Sequence, residues 1–391
     1  MDQDLYMRIK KSQHGFTLLE LLVASSIGLT VILVMMSLFK TGMDATIKVT
    51  QRAETQQNMR AAIELMTKDI SLAGSGLPSG GLQLSSGGLS KFACNQTGTC
   101  YITGDTYPNS GSGTPNYMYA IEPGFGVGVQ NNAVIPNAPG QTNSSITTAY
   151  CDYNFPLSNF SFTFPSGTQA NVSVNNAGVT PNNILAPGGL QVGDLLLFNV
   201  SVPGSGTAGN PNGNSLVQTA AVAAEITGIP NGTTINFATG DALNFNFSSG
   251  TNNLAAVATA AGGAGAQTNV CRLQVVSYFL QVPPAGGTVQ TPRLMRQVNG
   301  LNAVPVADGI INLQFTYDVI NSITSTVLAN VQNPIGAGDS PSLIQKVNIW
   351  IMGTSLTPDG NRSQNMYLAT AVSTSNMSFC NSYGSQTTQC Q

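Results

Sequence analysis

The chain carries few side chains able to do acid–base or nucleophilic chemistry. His14 is the only histidine, and it lies in a short polar leader just ahead of a long apolar run. Histidine-activated nucleophiles and histidine-ligated metals are therefore not expected of the main body. Two carboxylates can hydrolyse a glycoside without histidine, but the ten acids after position 73 are scattered, with no clustered motif. Gly124-Phe-Gly-Val-Gly128 lacks the helix start and the Gly-Lys-Ser/Thr of a phosphate loop. Asp359-Gly-Asn follows Pro358 and reads as a turn. Against those ten acids stand six basic residues, of which only Arg293 and Arg296 are close neighbours. Phosphate backbones need a concentrated basic patch, so nucleic acid is not an expected partner. No enzymatic activity, metal or cofactor is expected.

The remaining chemistry is redox and proteolytic. All six cysteines, Cys94, Cys100, Cys151, Cys271, Cys380 and Cys390, follow the apolar run. An even number in an exported chain argues for disulfides, and the spacings do not suit zinc. Proximity in sequence favours Cys94–Cys100 and Cys380–Cys390, leaving Cys151–Cys271 by elimination. The junction from Lys10 to Glu20 reads Lys-Lys-Ser-Gln-His-Gly-Phe-Thr-Leu-Leu-Glu. Beyond Gly15, the stretch from Phe16 to Phe39 holds one ionisable side chain, Glu20. That stretch exceeds the roughly 7–15 residues of a signal-peptide core and reaches the ~20 needed to cross a bilayer. An acid inside such a span is costly and marks function. Arg8, Lys10 and Lys11 keep the leader cytoplasmic under the positive-inside rule, so everything after Lys40 is exported.

This junction resembles the amino terminus of type IV prepilins and of the pseudopilins of type II secretion. The resemblance implies that a prepilin peptidase cuts between Gly15 and Phe16 and methylates the new amine of Phe16. Glu20 then takes the place of the family's fifth-position glutamate, which pairs with the amino terminus of a neighbouring subunit during assembly. Two further segments, Arg60 to Gly74 and Ala307 to Asp318, resemble PilW-type minor pilins. The implied partners are the peptidase, other minor and major pilins, an inner-membrane assembly platform, and the membrane itself before assembly. The implied location is the bacterial inner membrane, single-pass with a periplasmic head, and then the pilus at the cell surface. A carboxy-terminal disulfide loop would match a frequent pilin feature. A large, weakly charged head is also compatible with adhesion. Two alternatives stay open: a type II secretion pseudopilin, and a membrane-tethered adhesin that never polymerises.

An α+β fold must position these residues. From Thr41 to Ala73 there is no proline, and Met59, Ile63, Met66 and Ile70 recur at helical spacing. Gly74 supplies a left-handed cap and Pro78 prevents continuation. One helix is expected from Phe16 to Ala73, roughly 85 Å long, with Gly28 and Gly42 as its weakest points. Charge thins after Gly74: 15 of 31 charged residues lie in the first 73 positions, which separates an anchor from a weakly charged head. In the head, Phe160–Phe164 and Leu243–Phe247 alternate strictly, and Asp194–Val202 and Thr233–Ala238 read as strands. Beyond Cys271 three period-two runs are expected to form an antiparallel sheet: Val276 to Val282, Ile311 to Val319, and Val347 to Ile351. The expected organisation is a leader at 1–15, a helix at 16–74 with 16–39 in the membrane, a variable β-rich insertion at 75–270, and a pilin-like sheet at 271–391.

Overall fold

The computed structural model describes residues 15–78, 81–85, 117–126, 128–129, 142–154, 157, 160–174, 189–203, 216–247, 253–282, 292–334, 339–355 and 364–374. The chain divides into two compact units, Met1–Glu54 and Thr55–Gln391. Helix α1 runs from Leu18 to Leu72 without a break at Gly28 or Gly42. Within the first unit no described residue is buried, and Leu18, Leu22, Leu29, Leu33 and Phe39 are all exposed. The hydroxyls of Ser25, Ser26 and Thr30 donate to the carbonyls of Leu22, Val23 and Ile27, three residues back. Backbone and side-chain polar groups are thus satisfied within the helix, as hydrocarbon surroundings require.

In the second unit the helix is amphipathic. Thr55, Met59, Ala62, Met66, Asp69 and Ile70 are buried, at steps of three and four that keep them on one face. Ile63, expected on that stripe, lies at its margin and is only partly buried. Gly74 ends the helix at φ +84°, and its amide donates to the Ala149 carbonyl at 2.9 Å. A side chain would be strained at that φ.

Seventeen strands follow among the described residues. They are β1 (Leu82–Gln83), β2 (Tyr117–Met118), β3 (Ile121–Gly124), β4 (Ser145–Asp152), β5 (Phe160–Ser166), β6 (Gln169–Val174), β7 (Leu195–Pro203), β8 (Leu216–Glu225), β9 (Gly228–Asn231) and β10 (Thr234–Asn236). After helix α2 (Leu254–Ala261) come β11 (Gln267–Gln281), β12 (Arg293–Val298), β13 (Val304–Asp308), β14 (Ile310–Ile320), β15 (Val327–Val331), β16 (Ile344–Ser355) and β17 (Gln364–Ser373). All the pairings between these strands are antiparallel, and Val129 adds an isolated parallel bridge to Leu280. The fold is therefore a long apolar helix followed by antiparallel β structure, an α+β arrangement consistent with the one the resemblance implies.

Strand β11 is the spine of the largest sheet. One of its edges takes β4, which in turn carries β3; the other takes β7 along Gln267–Leu273 and then β12 along Val276–Gln281. A second sheet has the order β15-β14-β16-β17. Both sheets contribute to the core over the helix stripe: Val276, Tyr278 and Leu280 from the first, and Leu313, Phe315, Tyr317, Val347, Ile349 and Ile351 from the second. The three period-two runs thus form strands with their apolar faces buried. Helix and sheet approach closely at Gly353, where a Cβ would lie 2.6 Å from Met59 Sδ.

Two expectations are corrected. The boundary at 270/271 falls inside β11, whose residues hydrogen-bond to β7 as well as to β12. A sheet cannot be divided through a strand that serves both halves. Leu243–Phe247 is not a strand, despite its alternation. The Asp241 carboxylate accepts from the amides of Phe245 (2.6 Å) and Asn246 (3.0 Å), and Asn244 adopts φ +57°. A side chain thus takes the place of a ladder partner. Leu243 and Phe245 are buried in a separate core with Leu195, Leu197 and Leu273.

Candidate functional site

The start of α1 brings Gly15, Phe16 and Glu20 together on one short, exposed stretch. Gly15 is exposed with open space around its Cα, and Phe16 is 87% exposed. Thr17 precedes the first helical residue, and its carbonyl accepts from the Leu21 amide at 3.2 Å. Its hydroxyl accepts from the Glu20 amide at 3.3 Å, while the Glu20 carboxylate accepts from the Thr17 amide and hydroxyl, both at 3.0 Å. This reciprocal pattern is a capping box, which satisfies donors that a helix start otherwise leaves open. Glu20 thus sits one turn from the residue that would become the new terminus, with its carboxylate directed back toward that end. Motif reasoning singled out Glu20 but missed Thr17, although Thr-x-x-Glu is a legible signal.

The other end of α1 is fixed by a charged cluster that sequence reading did not find. Asp69, 2% exposed, faces the sheets. Its Oδ1 accepts from the Tyr150 hydroxyl at 2.9 Å and from Arg296 Nη2 at 3.3 Å. Its Oδ2 accepts from the Tyr278 hydroxyl at 2.5 Å and from Arg296 Nε at 2.8 Å. Burial, and then the Asp69 charge, push both tyrosine hydroxyls well above their ordinary range, so they remain donors. Burial opposes the Arg296 charge, but the Asp69 hydrogen bond and charge outweigh it and raise the guanidinium further. The cluster joins α1, β4, β11 and β12 at one point. The available signal was an acid three residues after Met66 and one before Ile70, on the apolar face.

Cys151 on β4 and Cys271 on β11 are joined by a disulfide, with a Cα separation of 5.7 Å. Leu273 is directly opposite Cys151, so Cys271 is its diagonal neighbour. Cys94, Cys100, Cys380 and Cys390 lie outside the described residues. Among the described residues there is no group of three or more potential metal ligands.

Residues 10–36 match the prokaryotic N-terminal methylation motif. No curated protein and no solved structure matches the chain. The motif supports a type IV pilin-like or pseudopilin family, whose members are structural subunits. It also implies processing by prepilin peptidase and association with pilins and their assembly machinery in general. Together with a helix apolar and long enough to cross a membrane, it points to membrane anchoring before assembly.

Proposed function

We propose that this protein is a minor type IV pilin of the PilW-like kind. Prepilin peptidase removes residues 1–15 and methylates Phe16, leaving α1 in the inner membrane with the head in the periplasm. Extraction into a priming complex or filament then exchanges lipid for neighbouring helices along the exposed apolar face. Glu20 pairs with the methylated amine of an adjacent subunit, fixing the register of the bundle more than adding to its stability. The observation that carries this reading is the methylation motif leading directly into a helix that is exposed throughout Leu18 to Phe39 and carries Glu20 as the one charged residue there. The size of the head favours a low-copy subunit over a major one.

Mass spectrometry of the native protein tests the processing step: the expected terminus is N-methylated Phe16, whereas an intact Met1 refutes it. Glu20→Val is expected to leave cleavage unchanged and to reduce recovery in sheared filaments about tenfold, the ratio set by a pair worth about 1.4 kcal/mol. Undiminished recovery would remove Glu20 from the assembly mechanism. Recovery of the processed chain only in a secretion-system pseudopilus would favour the type II alternative.

A further inference from the structure

The outer face of the β15-β14-β16-β17 sheet carries a recess that neither the core nor the filament role explains. Tyr317 on β14 pairs with Val331, the last residue of β15. Four residues earlier, the same edge of β14 is met by a different segment. Asn143 Oδ1 accepts from the Leu313 amide at 2.8 Å, and the Ser144 amide donates to the Leu313 carbonyl at 2.9 Å. Phe315 lies between these two pairings. In an antiparallel ladder, alternate residues direct their N–H and C=O to the same side. The Phe315 backbone therefore points into the gap, as that of Leu313 does. A cavity of about 290 Å³ opens there, lined by Phe125, Thr142, Ser144, Gln314, Phe315, Thr316 and Gln332.

None of those described lining residues is charged. They offer carboxamides and hydroxyls, which donate and accept alike, beside one aromatic ring. Gln314 is directly opposite Trp350 across the ladder, and Trp350 in turn is opposite Ala369. Tyr367, two residues from Ala369, is on the same face as Trp350. The two rings stack with centroids 5.5 Å apart and an interplanar angle of 29°, and Tyr367 is 62% exposed. Among the described residues, the charges flanking this face, Asp318 and Lys346, neutralise each other in an ion pair at 2.6 Å.

We propose that this cavity, with the Trp350–Tyr367 platform beside it, binds a neutral saccharide. A sugar ring presents apolar C–H edges that suit the electron-rich face of an aromatic ring. Its hydroxyls need partners able both to donate and to accept, and the Gln332 carboxamide, the Thr142 and Ser144 hydroxyls and the Phe315 backbone supply them. A charged ligand would find no counter-ion in the recess and would lose hydration without compensation. The aromatic surface with a few convergent polar groups is the usual composition of a small-molecule site. Sugar binding by the head requires no polymerisation, so failure of either proposal leaves the other standing.

Trp350 is the only tryptophan in the chain, so emission excited selectively at tryptophan reports on this platform. The full processed chain in detergent would be titrated with neutral oligosaccharides (maltohexaose, cellohexaose, chitohexaose) and, for comparison, sialylated and sulfated ones. At least one neutral sugar is expected to give a saturable emission change. Gln332→Ala and Tyr367→Ala, each checked for an unchanged circular dichroism spectrum, are expected to weaken it about tenfold, equivalent to the loss of one directional contact. The proposal is overturned by silence across the neutral panel, by a response to charged sugars alone, or by undiminished affinity in both variants.

Discussion

The Asp69 cluster makes a quantitative test of how α1 is held on the head. Asp69→Asn keeps the shape of the side chain but removes its charge and turns one acceptor into a donor. Hydrogen bonds to charged groups contribute about 1.5–3 kcal/mol each, and breaking a buried ion pair from one side costs about 3–5 kcal/mol. The Asp69 side chain is 3% exposed whereas that of Arg296 is 22% exposed. The abandoned guanidinium can thus recover some hydration, placing the expected loss near the lower limit, about 3 kcal/mol. Equilibrium urea unfolding of the full chain in detergent, followed by Trp350 emission, measures it. A double-mutant cycle with Arg296→Gln is expected to give a coupling of at least about 1.5 kcal/mol, well above the roughly 0.5 kcal/mol seen for independent sites. A loss below about 0.5 kcal/mol, or additive single effects, would refute an anchoring role for the pair.

Two further outcomes follow from other buried contacts. Glu122 is 1% exposed; its Oε1 accepts from the Tyr119 amide at 2.6 Å, while Oε2 has no hydrogen-bond partner among the described residues. Burial pushes its carboxyl well above the ordinary range, against a smaller opposing pull from the Tyr119 amide. The folded state therefore holds a proton that the unfolded chain releases, and stability from this group falls as pH rises above the ordinary glutamate range. Glu122→Gln is expected to raise the unfolding midpoint at pH 8 but not at pH 4; an equal effect at both would contradict the assignment. Gly353→Ala forces a methyl group to within 2.6 Å of Met59 Sδ and 3.0 Å of Thr55 Cγ2. It is expected to cost about 1–3 kcal/mol, partly recovered by adding Met59→Ala. A full loss in the double variant would place the strain elsewhere.

What could be read from the sequence depended on whether a feature was local. The helix, its Gly74 terminus and the three period-two runs were legible because side-chain periodicity reports directly on a buried face. The Gly15–Phe16–Glu20 motif was legible because it is contiguous. The Asp69 cluster was not, since it joins residues up to 227 positions apart, and no periodicity announces such a meeting. Leu243–Phe247 misled for the opposite reason: its alternation is real, but Asp241 occupies the amides a strand would need. The 270/271 boundary failed because composition changes gradually where β11 runs on unbroken. Arg296 was noticed only as half of a basic pair with Arg293, whereas the structure divides them. Arg293 forms an ion pair with the exposed Asp308, while Arg296 is taken by Asp69.

The central position of β11 has a consequence for biogenesis. Its partner β4 is synthesised far earlier, and the cysteines linking the two strands are 120 residues apart in the chain. As the polypeptide is synthesised, β3 and β4 wait with an open edge until that later strand arrives. Such distant pairing slows folding and leaves intermediates prone to association. Oxidation of Cys151 with Cys271 can succeed only after this delay, making the bond a record of completed sheet assembly. Under the proposed pilin role, copies tethered to one membrane surface would be most vulnerable to mispairing during that interval, before assembly.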